Sequence, residues 1–265
     1  MKRIILSRKG FDAKAGGNAS PIFNDGRIFS IPIPQKNPSP KKYKDLRFDG
    51  VSGPQLLFES SSKISLSDFC HTDPMLDEKI GIFGQANSSQ TELRNNQVGK
   101  GDLFMFFGWF KNFSLGGPDC HHLFGWLQIE EIIEGHQQIK KFLKSNNILH
   151  PHGYRNVDRY KNNTIYVGKK NLELNKKAIS KKGYGLFKKT HKDLILTEVN
   201  RSRSKWKLPS KYFKNSSDLF LNRMKWRNKK KCTIFYRGFG QEFILDVEKN
   251  PEVIKWAVKL IKRHG

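Results

Sequence analysis

The sequence predicts an α+β fold, in which a mixed, mostly antiparallel sheet or small barrel carries a few peripheral helices. The main evidence is the stretch 101–129, where two apolar, aromatic-rich runs flank a polar connection that contains glycine and proline. The runs, 103–110 and 123–129, have the length of strands and are bulky at every position, so we expect both faces to be buried. Paired as a hairpin, they would form the centre of the sheet. The plainer interpretation is that their aromatics form only a core.

Shorter elements are expected on both sides of this hairpin. Apolar runs bounded by turn residues predict strands over residues 3–6, 163–168, 193–197 and 233–237, and a turn and strand over 238–245. The Asn-Asp-Gly signal at residues 24–27 predicts a turn. Helices are expected over residues 88–95, over about 135–144, and from Pro251 onward with Asn250 as its cap.

Charge is distributed unevenly along the chain. The formal net charge is +25; residues 1–134 hold 16 Lys/Arg against 15 Asp/Glu, whereas residues 135–265 hold 33 against 9. We treat residues 1–265 as one domain with a near-neutral half and a strongly basic half. An excess confined to one half predicts a polyanionic partner, DNA or another nucleic acid. A lysine-rich compositional bias is the alternative.

Several classes of protein fit the sequence poorly. No run approaches the ~18 apolar residues of a membrane span, and the first residues do not resemble a signal peptide. Cys70, Cys120 and Cys232 are widely spaced and form neither a metal pattern nor a disulfide framework, which favours a cytoplasmic location. The glycines fit no dinucleotide or P-loop fingerprint, so the cofactor stays unknown.

A first group of candidate site residues follows the strand at residues 3–6. Arg8 and Lys9 could bind a phosphate, and Asp12 could act as an acid or base. An ordinary loop with solvated charges is an equal alternative.

A second group surrounds His71 and Asp73, which point to one side of an extended segment and could share acid–base work. Gln85 lies close by in the sequence, in a Gly-Ile-Phe-Gly-Gln segment. Zinc needs three or four ligands, so this pair alone does not make a metal site. Alternatively, Asp73 only caps a turn before Pro74.

Further histidines, His121, His150 and His152, are candidates for polar contacts with a substrate. Because no Cys, Asp or Glu completes a recognisable ligand spacing around them, we expect no metal. Near the end of the chain, Gln241 is a candidate substrate ligand and Glu242 a candidate acid or base, although Glu242 could equally be structural.

The basic half interleaves cations with indoles, a pattern typical of nucleic-acid binding. A position of either tryptophan in the core is the alternative. The residues concerned are Arg201, Arg203, Lys205, Trp206, Lys225, Trp226, Arg227, Lys229 and Lys230.

Taken together, a series of short motifs resembles the nucleotide-modification-associated domain family, third type. In order they are SRKGFD…GG..SPI, PIP, HTDP, GIFGQ, GDLFMFFGWF, HPH, W.LP and RG.GQEF, and they cover nearly the whole chain. The resemblance implies a role in DNA base modification and phage–host conflict, without a reaction. The candidate site residues that it carries over are Arg8, Lys9, Asp12, His71, Asp73, Gln85, Gln241 and Glu242.

A weaker resemblance, limited to the hairpin, is to the PUA, ASCH and EVE barrels, which hold a base in a pocket. Three functions follow as hypotheses. The first is an enzyme that acts on a flipped base or nucleotide, for example by glycosidic cleavage or base transfer. The second is a non-catalytic reader of modified bases, and the third is a subunit of a modification complex that binds other proteins.

Overall fold

A computed structural model describes residues 1–174, 177–236 and 240–265. Its helices are α1 (Gly53–Glu59), α2 (Asn87–Asn95), α3 (His136–Ser145), α4 (Ser210–Phe213) and α5 (Pro251–His264). The strands are β1 (Arg3–Arg8), β2 (Ser20–Pro21), β3 (Pro34–Gln35), β4 (Lys41–Lys42), β5 (Arg47–Phe48), β6 (Val51–Ser52), β7 (Phe69–Cys70), β8 (Ile82–Gln85), β9 (Leu103–Lys111), β10 (Cys120–Glu134), β11 (Thr164–Gly168), β12 (Asn171–Leu174), β13 (Lys177–Lys182), β14 (Tyr184–Leu186), β15 (Lys205–Lys207), β16 (Trp226–Asn228), β17 (Thr233–Phe235) and β18 (Glu242–Asp246).

The largest sheet has eight strands, six of them in the order β18-β1-β9-β10-β11-β8, with β14 beside β10 and β2 beside β9. Strands β1 and β2 run parallel to β9, and the other pairs are antiparallel. The predicted α+β class with a mixed, mostly antiparallel sheet is therefore confirmed. Of the two predicted forms, the described residues adopt the sheet, without a closed barrel.

The predicted central hairpin is confirmed as β9 and β10, both longer than expected. Its side chains pack on both faces of the sheet. On one face Phe104 and Phe106 contact Phe83 of β8, with ring centroids 4.8 and 5.1 Å apart. On the other face Phe107 contacts Trp206 at 5.0 Å. Each buried aromatic contributes about 1.5–3 kcal/mol through the area that it removes from water, which explains why this pair holds the centre.

The two outermost strands of the main sheet come together at one end. The side chain of Gln85, at the end of β8, donates a hydrogen bond of 2.7 Å to Glu242 Oε1, at the start of β18. Helix α2 follows β8 directly and packs against β18. As a result, the residues after β1, the end of β8 and the start of β18 lie at the same place, where a cavity forms.

Three local predictions differ from the structure. Residues 193–197 form no strand: the 3-10 helix Lys192–Leu194 occupies the segment, because the His191 side chain accepts a hydrogen bond from the Asp193 N–H. The Asn250 side chain does not cap α5; it bonds the Ser217 backbone instead. The predicted strand 233–237 ends at Phe235, and Arg237, with 238–239 of the next predicted turn, lies outside the described residues.

The predicted helices at residues 88–95 and 135–144, and the one from Pro251 onward, are confirmed as α2, α3 and α5. Among the residues described, no helix combines the length and apolar character needed to cross a membrane.

Candidate functional site

A cavity of about 510 Å³ opens where β1 ends, β8 ends and β18 begins. We call it the polar cavity. Its size falls within the ~300–1,000 Å³ typical of small-molecule sites. It brings together seven predicted site residues from four separate segments, namely Arg8, Lys9, Asp12, His71, Asp73, Gln85 and Gln241. Residues that the sequence did not suggest complete its wall, among them Gln35, Gly84, Arg155, Arg159 and Tyr160.

The loop after β1 is arranged by Asp12. One oxygen of Asp12, Oδ1, accepts hydrogen bonds from the N–H groups of Lys14 and Ala15 at 2.7 and 2.8 Å. The other oxygen, Oδ2, lies 3.6 Å from a guanidinium nitrogen of Arg8. The carboxylate thus shapes its own loop and still presents an edge to the cavity.

Lys9 was predicted to bind a phosphate, but its charge is already paired within the protein. Its Nζ donates a 2.7 Å hydrogen bond to Glu242 Oε1, and both side chains are almost fully buried. Gln85 donates to the same oxygen. Glu242 therefore lies behind the cavity wall and fixes the positions of the Lys9 and Gln85 side chains. Of the two predicted phosphate-binding cations after β1, Arg8 is therefore the one available to bind an anion in the cavity.

Asp73 lies at the centre of a buried group that we call the histidine cluster, defined as His71, Asp73, His150 and His152. Its Oδ1 accepts hydrogen bonds from the Gly84 N–H at 2.9 Å and from His150 Nε2 at 3.2 Å. Its Oδ2 lies 3.6 Å from His71 Nε2 and 3.8 Å from His152 Nε2. The sequence predicted these four residues as site residues and paired His71 with Asp73, but it gave no reason to place that pair beside His150 and His152.

The charge states in the histidine cluster follow from its burial. Burial alone would raise the pKa of Asp73, but the hydrogen bond that it accepts from His150 lowers this pKa well below the usual value. Burial lowers the pKa of His71, and it lowers the pKa of His152 further below the usual value, helped by the nearby Arg155 charge. Near neutral pH the cluster thus combines a carboxylate with two uncharged imidazoles.

Gly84 makes the close packing of the histidine cluster possible. A Cβ at this position would lie 2.3 to 2.5 Å from three atoms of the His152 ring, while the Gly84 N–H bonds Asp73. Only glycine leaves room for the ring at this distance. Sequence reasoning missed Gly84, although the glycine inside the Gly-Ile-Phe-Gly-Gln strand was the available signal.

A second, open depression of about 1050 Å³ adjoins the polar cavity and shares Arg8, Asp12 and Gln241 with it. We call it the aromatic groove. The guanidinium of Arg203 lies 3.9 Å from the centroid of the Trp109 ring on its wall. Arg201 lies on the same wall, so two of the predicted nucleic-acid-binding cations are beside the cavity.

Trp206 does not present its indole for stacking, contrary to the prediction. It is completely buried, stacks on Tyr236 at a centroid distance of 5.3 Å and donates a 2.9 Å hydrogen bond to His121 Nδ1. His121 therefore belongs to the floor of the aromatic groove and not to the polar cavity. Its burial, with the charges of Arg203 and Arg8, lowers its pKa well below the usual value, so it is neutral.

The other predicted nucleic-acid-binding residues lie on or beside a separate three-stranded sheet, β15-β17-β16. They are Lys205, Lys225, Trp226, Arg227, Lys229 and Lys230, and none of them lines the polar cavity or the aromatic groove. Trp226 is half-buried against Phe220, with ring centroids 4.9 Å apart. Their role in binding stays a prediction.

Two groups of side chains in the described residues place three potential metal ligands within 4.8 Å of one another. One is His71, Asp73 and His152. The other, which we call the surface cluster, is His191, Asp193 and His264. The sequence predicted no metal. In each group two ligands are two positions apart and the third is distant in the chain, and the fold brings them together as a set of the donor atoms that transition metals prefer.

Comparison with known proteins identifies the family of the chain. No curated protein and no solved structure matches it. The family model described as nucleotide modification associated domain 3 matches residues 3–246. This range contains the polar cavity, the aromatic groove and the histidine cluster. The predicted resemblance is therefore confirmed, and the chain belongs to the nucleotide modification associated domain 3 family.

Proposed function

We propose that this protein is an enzyme that modifies or processes a base or nucleotide of DNA. The target nucleotide enters the polar cavity, and the flanking strand follows the aromatic groove. The observation that carries the proposal is the convergence of four distant segments, the loop after β1, the His71–Asp73 segment, the end of β8 and the start of β18, on a single cavity. The name of the family supports a role in nucleotide modification.

The charge of the polar cavity suits a phosphorylated ligand. Arg8, Arg155 and Arg159 line it, and Lys36 lies at its rim. The carboxylates on its wall are Asp12, which faces Arg8, and Asp73, which is enclosed by histidines. A phosphate at the entrance would therefore meet an excess of positive charge. A guanidinium group can donate two parallel hydrogen bonds to the oxygens of one phosphate.

The aromatic groove suits the strand on either side of the target nucleotide. Trp109 and Phe235 offer aromatic surface there, and Phe235 is 46% exposed. Arg201 and Arg203 supply cations for the phosphates. Base stacking on aromatic side chains contributes about 1–3 kcal/mol per base and depends little on sequence.

Within this proposal, Asp12 is the carboxylate placed to exchange a proton with a ligand, since it borders both the cavity and the groove. Glu242 acts on Lys9 and Gln85 and is a positioning residue. The reaction class that we expect is glycosidic cleavage or base transfer. A cytoplasmic location and partner proteins from a base-modification system are expected with it.

Mass spectrometry of nucleosides and free bases tests the proposal. The purified full chain is incubated with DNA from several sources, including phage DNA with modified bases. We expect a released base or a changed nucleoside with the wild-type protein and with Lys63→Ser, which alters an exposed lysine outside both cavities. We expect no product with Asp12→Asn, which removes the proposed proton-exchanging carboxylate, or with Asp73→Asn, which changes the carboxylate at the base of the cavity, and we expect less product with Arg8→Ala.

Binding measurements separate an enzyme from a reader. For the enzyme, Asp73→Asn removes the product but leaves DNA binding intact, and the affinity falls steeply with salt because phosphate contacts release counterions. Selective retention of one modified DNA without any chemical change would overturn the proposal in favour of a reader. If neither a chemical change nor selective retention of DNA were observed, the proposal would also be overturned, in favour of a subunit that binds other proteins.

A further inference from the structure

We propose that His71, Asp73 and His152 bind a divalent first-row transition metal ion at the base of the polar cavity. The inference deepens the proposed function, because the ion would lie in the same cavity as the target nucleotide. It rests on the hydrogen bonds that the three side chains make with their neighbours. These bonds determine which atom of each side chain faces the common centre.

The tautomer of His152 is set by Asn163. The Asn163 amide nitrogen donates to the backbone carbonyl of His152 at 3.0 Å, which fixes the orientation of the amide because a carbonyl can only accept. The amide oxygen then lies 2.7 Å from His152 Nδ1, so Nδ1 must carry the proton. Nε2 of the neutral ring is left with a lone pair.

The tautomer of His71 is set in the same way by Gln35. The Gln35 amide nitrogen donates to the carbonyls of Asn37 and Pro38, each at 3.2 Å, so its oxygen faces His71 Nδ1 at 2.8 Å. Nδ1 is therefore the donor, and Nε2 carries a lone pair. Strand β3 and the loop before β11 thus make the same arrangement, in which an anchored side-chain amide holds a histidine as a neutral ligand.

Asp73 is held so that one oxygen is free. The backbone N–H of His152 donates to His150 Nδ1 at 3.3 Å, which leaves the proton of His150 on Nε2, where it is donated to Asp73 Oδ1. The Gly84 N–H bonds the same oxygen. Asp73 Oδ2 faces the two Nε2 lone pairs of His71 and His152, and none of these three atoms carries a proton.

Three lone pairs that converge in a buried space repel one another unless a cation lies between them. Within the described part of the chain, His152 Nε2 is buried and has no hydrogen-bond partner, and the His152 side chain is fully buried. Two imidazole nitrogens and one carboxylate oxygen match the ligand sets of catalytic zinc and of non-haem iron. Asn163, Gln35 and His150 correspond to the outer partners that orient such ligands.

Arg155 is the competing cation. One of its guanidinium nitrogens donates a hydrogen bond to His71 Nε2 at 3.3 Å. This contact does not supply a hydrogen bond to His152 Nε2. The Arg155 guanidinium also stacks on Tyr160, with its Cζ 4.1 Å from the ring centroid. For a metal to bind, the half-buried Arg155 guanidinium has to turn away from His71.

Metal binding by the full-length protein tests the proposal without any assay of activity. The protein is treated with chelator and titrated with Co²⁺, Zn²⁺, Mn²⁺ and anaerobic Fe²⁺, while visible absorption of Co²⁺ and elemental analysis give the stoichiometry. We expect one equivalent per chain. His152→Ala and the near-isosteric Asp73→Asn should lower the affinity at least 100-fold, and Asn163→Leu, a positioning variant, by about 10–100-fold.

Two further variants make the result decisive. His264→Ala changes the surface cluster and should leave the equivalent of bound metal in place. Arg155→Gln should keep or raise the affinity, because it removes the competing cation. The proposal is overturned if folded wild-type protein binds no ion, or if binding survives Asp73→Asn and His152→Ala. Since these readouts need no nucleic acid, metal binding without base chemistry would refute only the proposed function, and the reverse would refute only the metal site.

Discussion

The histidine cluster and the surface cluster contain the same ingredients, two histidines and an aspartate within reach of one ion, but they are built differently. In the surface cluster Asp193 Oδ2 already accepts from Arg263 at 3.3 Å and lies 3.4 Å from His264 Nε2. His191 Nδ1 accepts from the Asp193 N–H at 3.1 Å. The lone pairs of the surface cluster therefore already accept hydrogen bonds, and its side chains are partly exposed.

In the histidine cluster, by contrast, neighbouring amides and N–H groups occupy the outer atoms and leave the inner ones without protons. Of these inner atoms, His71 Nε2 accepts a hydrogen bond from Arg155, whereas His152 Nε2 has no hydrogen-bond partner among the described residues. Proximity of ligand residues is therefore, by itself, weak evidence for a metal site. What distinguishes the two is whether the surrounding residues determine the protonation of each ligand and aim a lone pair inward. Variants of the two clusters can test this distinction.

The largest effect is expected for Asp73, and it should depend on the replacement. Asp73→Ala removes the acceptor for the Gly84 N–H and for His150, so two buried donors lose their partner at about 1–3 kcal/mol each. Asp73→Asn keeps an oxygen for both donors and can turn its NH2 to the lone pairs of His71 and His152. We expect about 3–5 kcal/mol lost with alanine and less than about 1 kcal/mol with asparagine.

Urea unfolding of the metal-free proteins measures both values. A destabilisation by asparagine as large as that by alanine would show that Asp73 Oδ2 is itself held by donors, contrary to the assigned tautomers. A stable Asp73→Asn protein would also show that its loss of activity or metal does not come from unfolding.

A smaller effect is expected for Gly84→Ala, which tests how tightly the cluster is packed. The added methyl group would displace the His152 ring, and such overpacking costs about 1–3 kcal/mol. Gly99→Ala is the matched control, because the nearest atom to its added Cβ is 3.9 Å away. Thermal unfolding should separate the two variants; equal melting temperatures would mean that the ring can move aside freely.

The sequence was sufficient to predict those features that depend on local pattern. The apolar runs at 103–110 and 123–129 became β9 and β10, because bulky side chains at every position can be buried only in the middle of a sheet. Of the eight residues that the resemblance to the family selected, seven line one cavity, and the eighth, Glu242, lies behind its wall. Trp206 was assigned to the nucleic acid because lysines flank it, but strand alternation turns those lysines outward and the indole inward.

The supporting residues of the histidine cluster could not be predicted. Gln35 is a single amide in the two-residue strand β3, and Asn163 is a single amide in the loop before β11. Gln35 acts on His71, which is 36 positions away in the chain, and Asn163 acts on His152, which is 11 positions away. No periodicity marks such a residue, because its role depends on tertiary position. The four cluster residues were chosen for their chemistry, but their meeting depends on the short 3-10 helix Pro151–Gly153 and on β8, which lie far apart in the chain.

The smallest effect is expected in the surface cluster, where Asp193→Asn removes the shared acceptor of Arg263 and His264. Because these side chains are partly hydrated, the pairs contribute roughly 0–1 kcal/mol, and salt screens them. We expect Asp193→Asn to change the free energy of unfolding by less than about 1 kcal/mol at low salt and by less still at high salt. Urea unfolding at two ionic strengths measures this. A loss comparable with that of Asp73→Ala would mean that the two clusters are equally important to the fold, and the distinction drawn from their hydrogen bonds would fail.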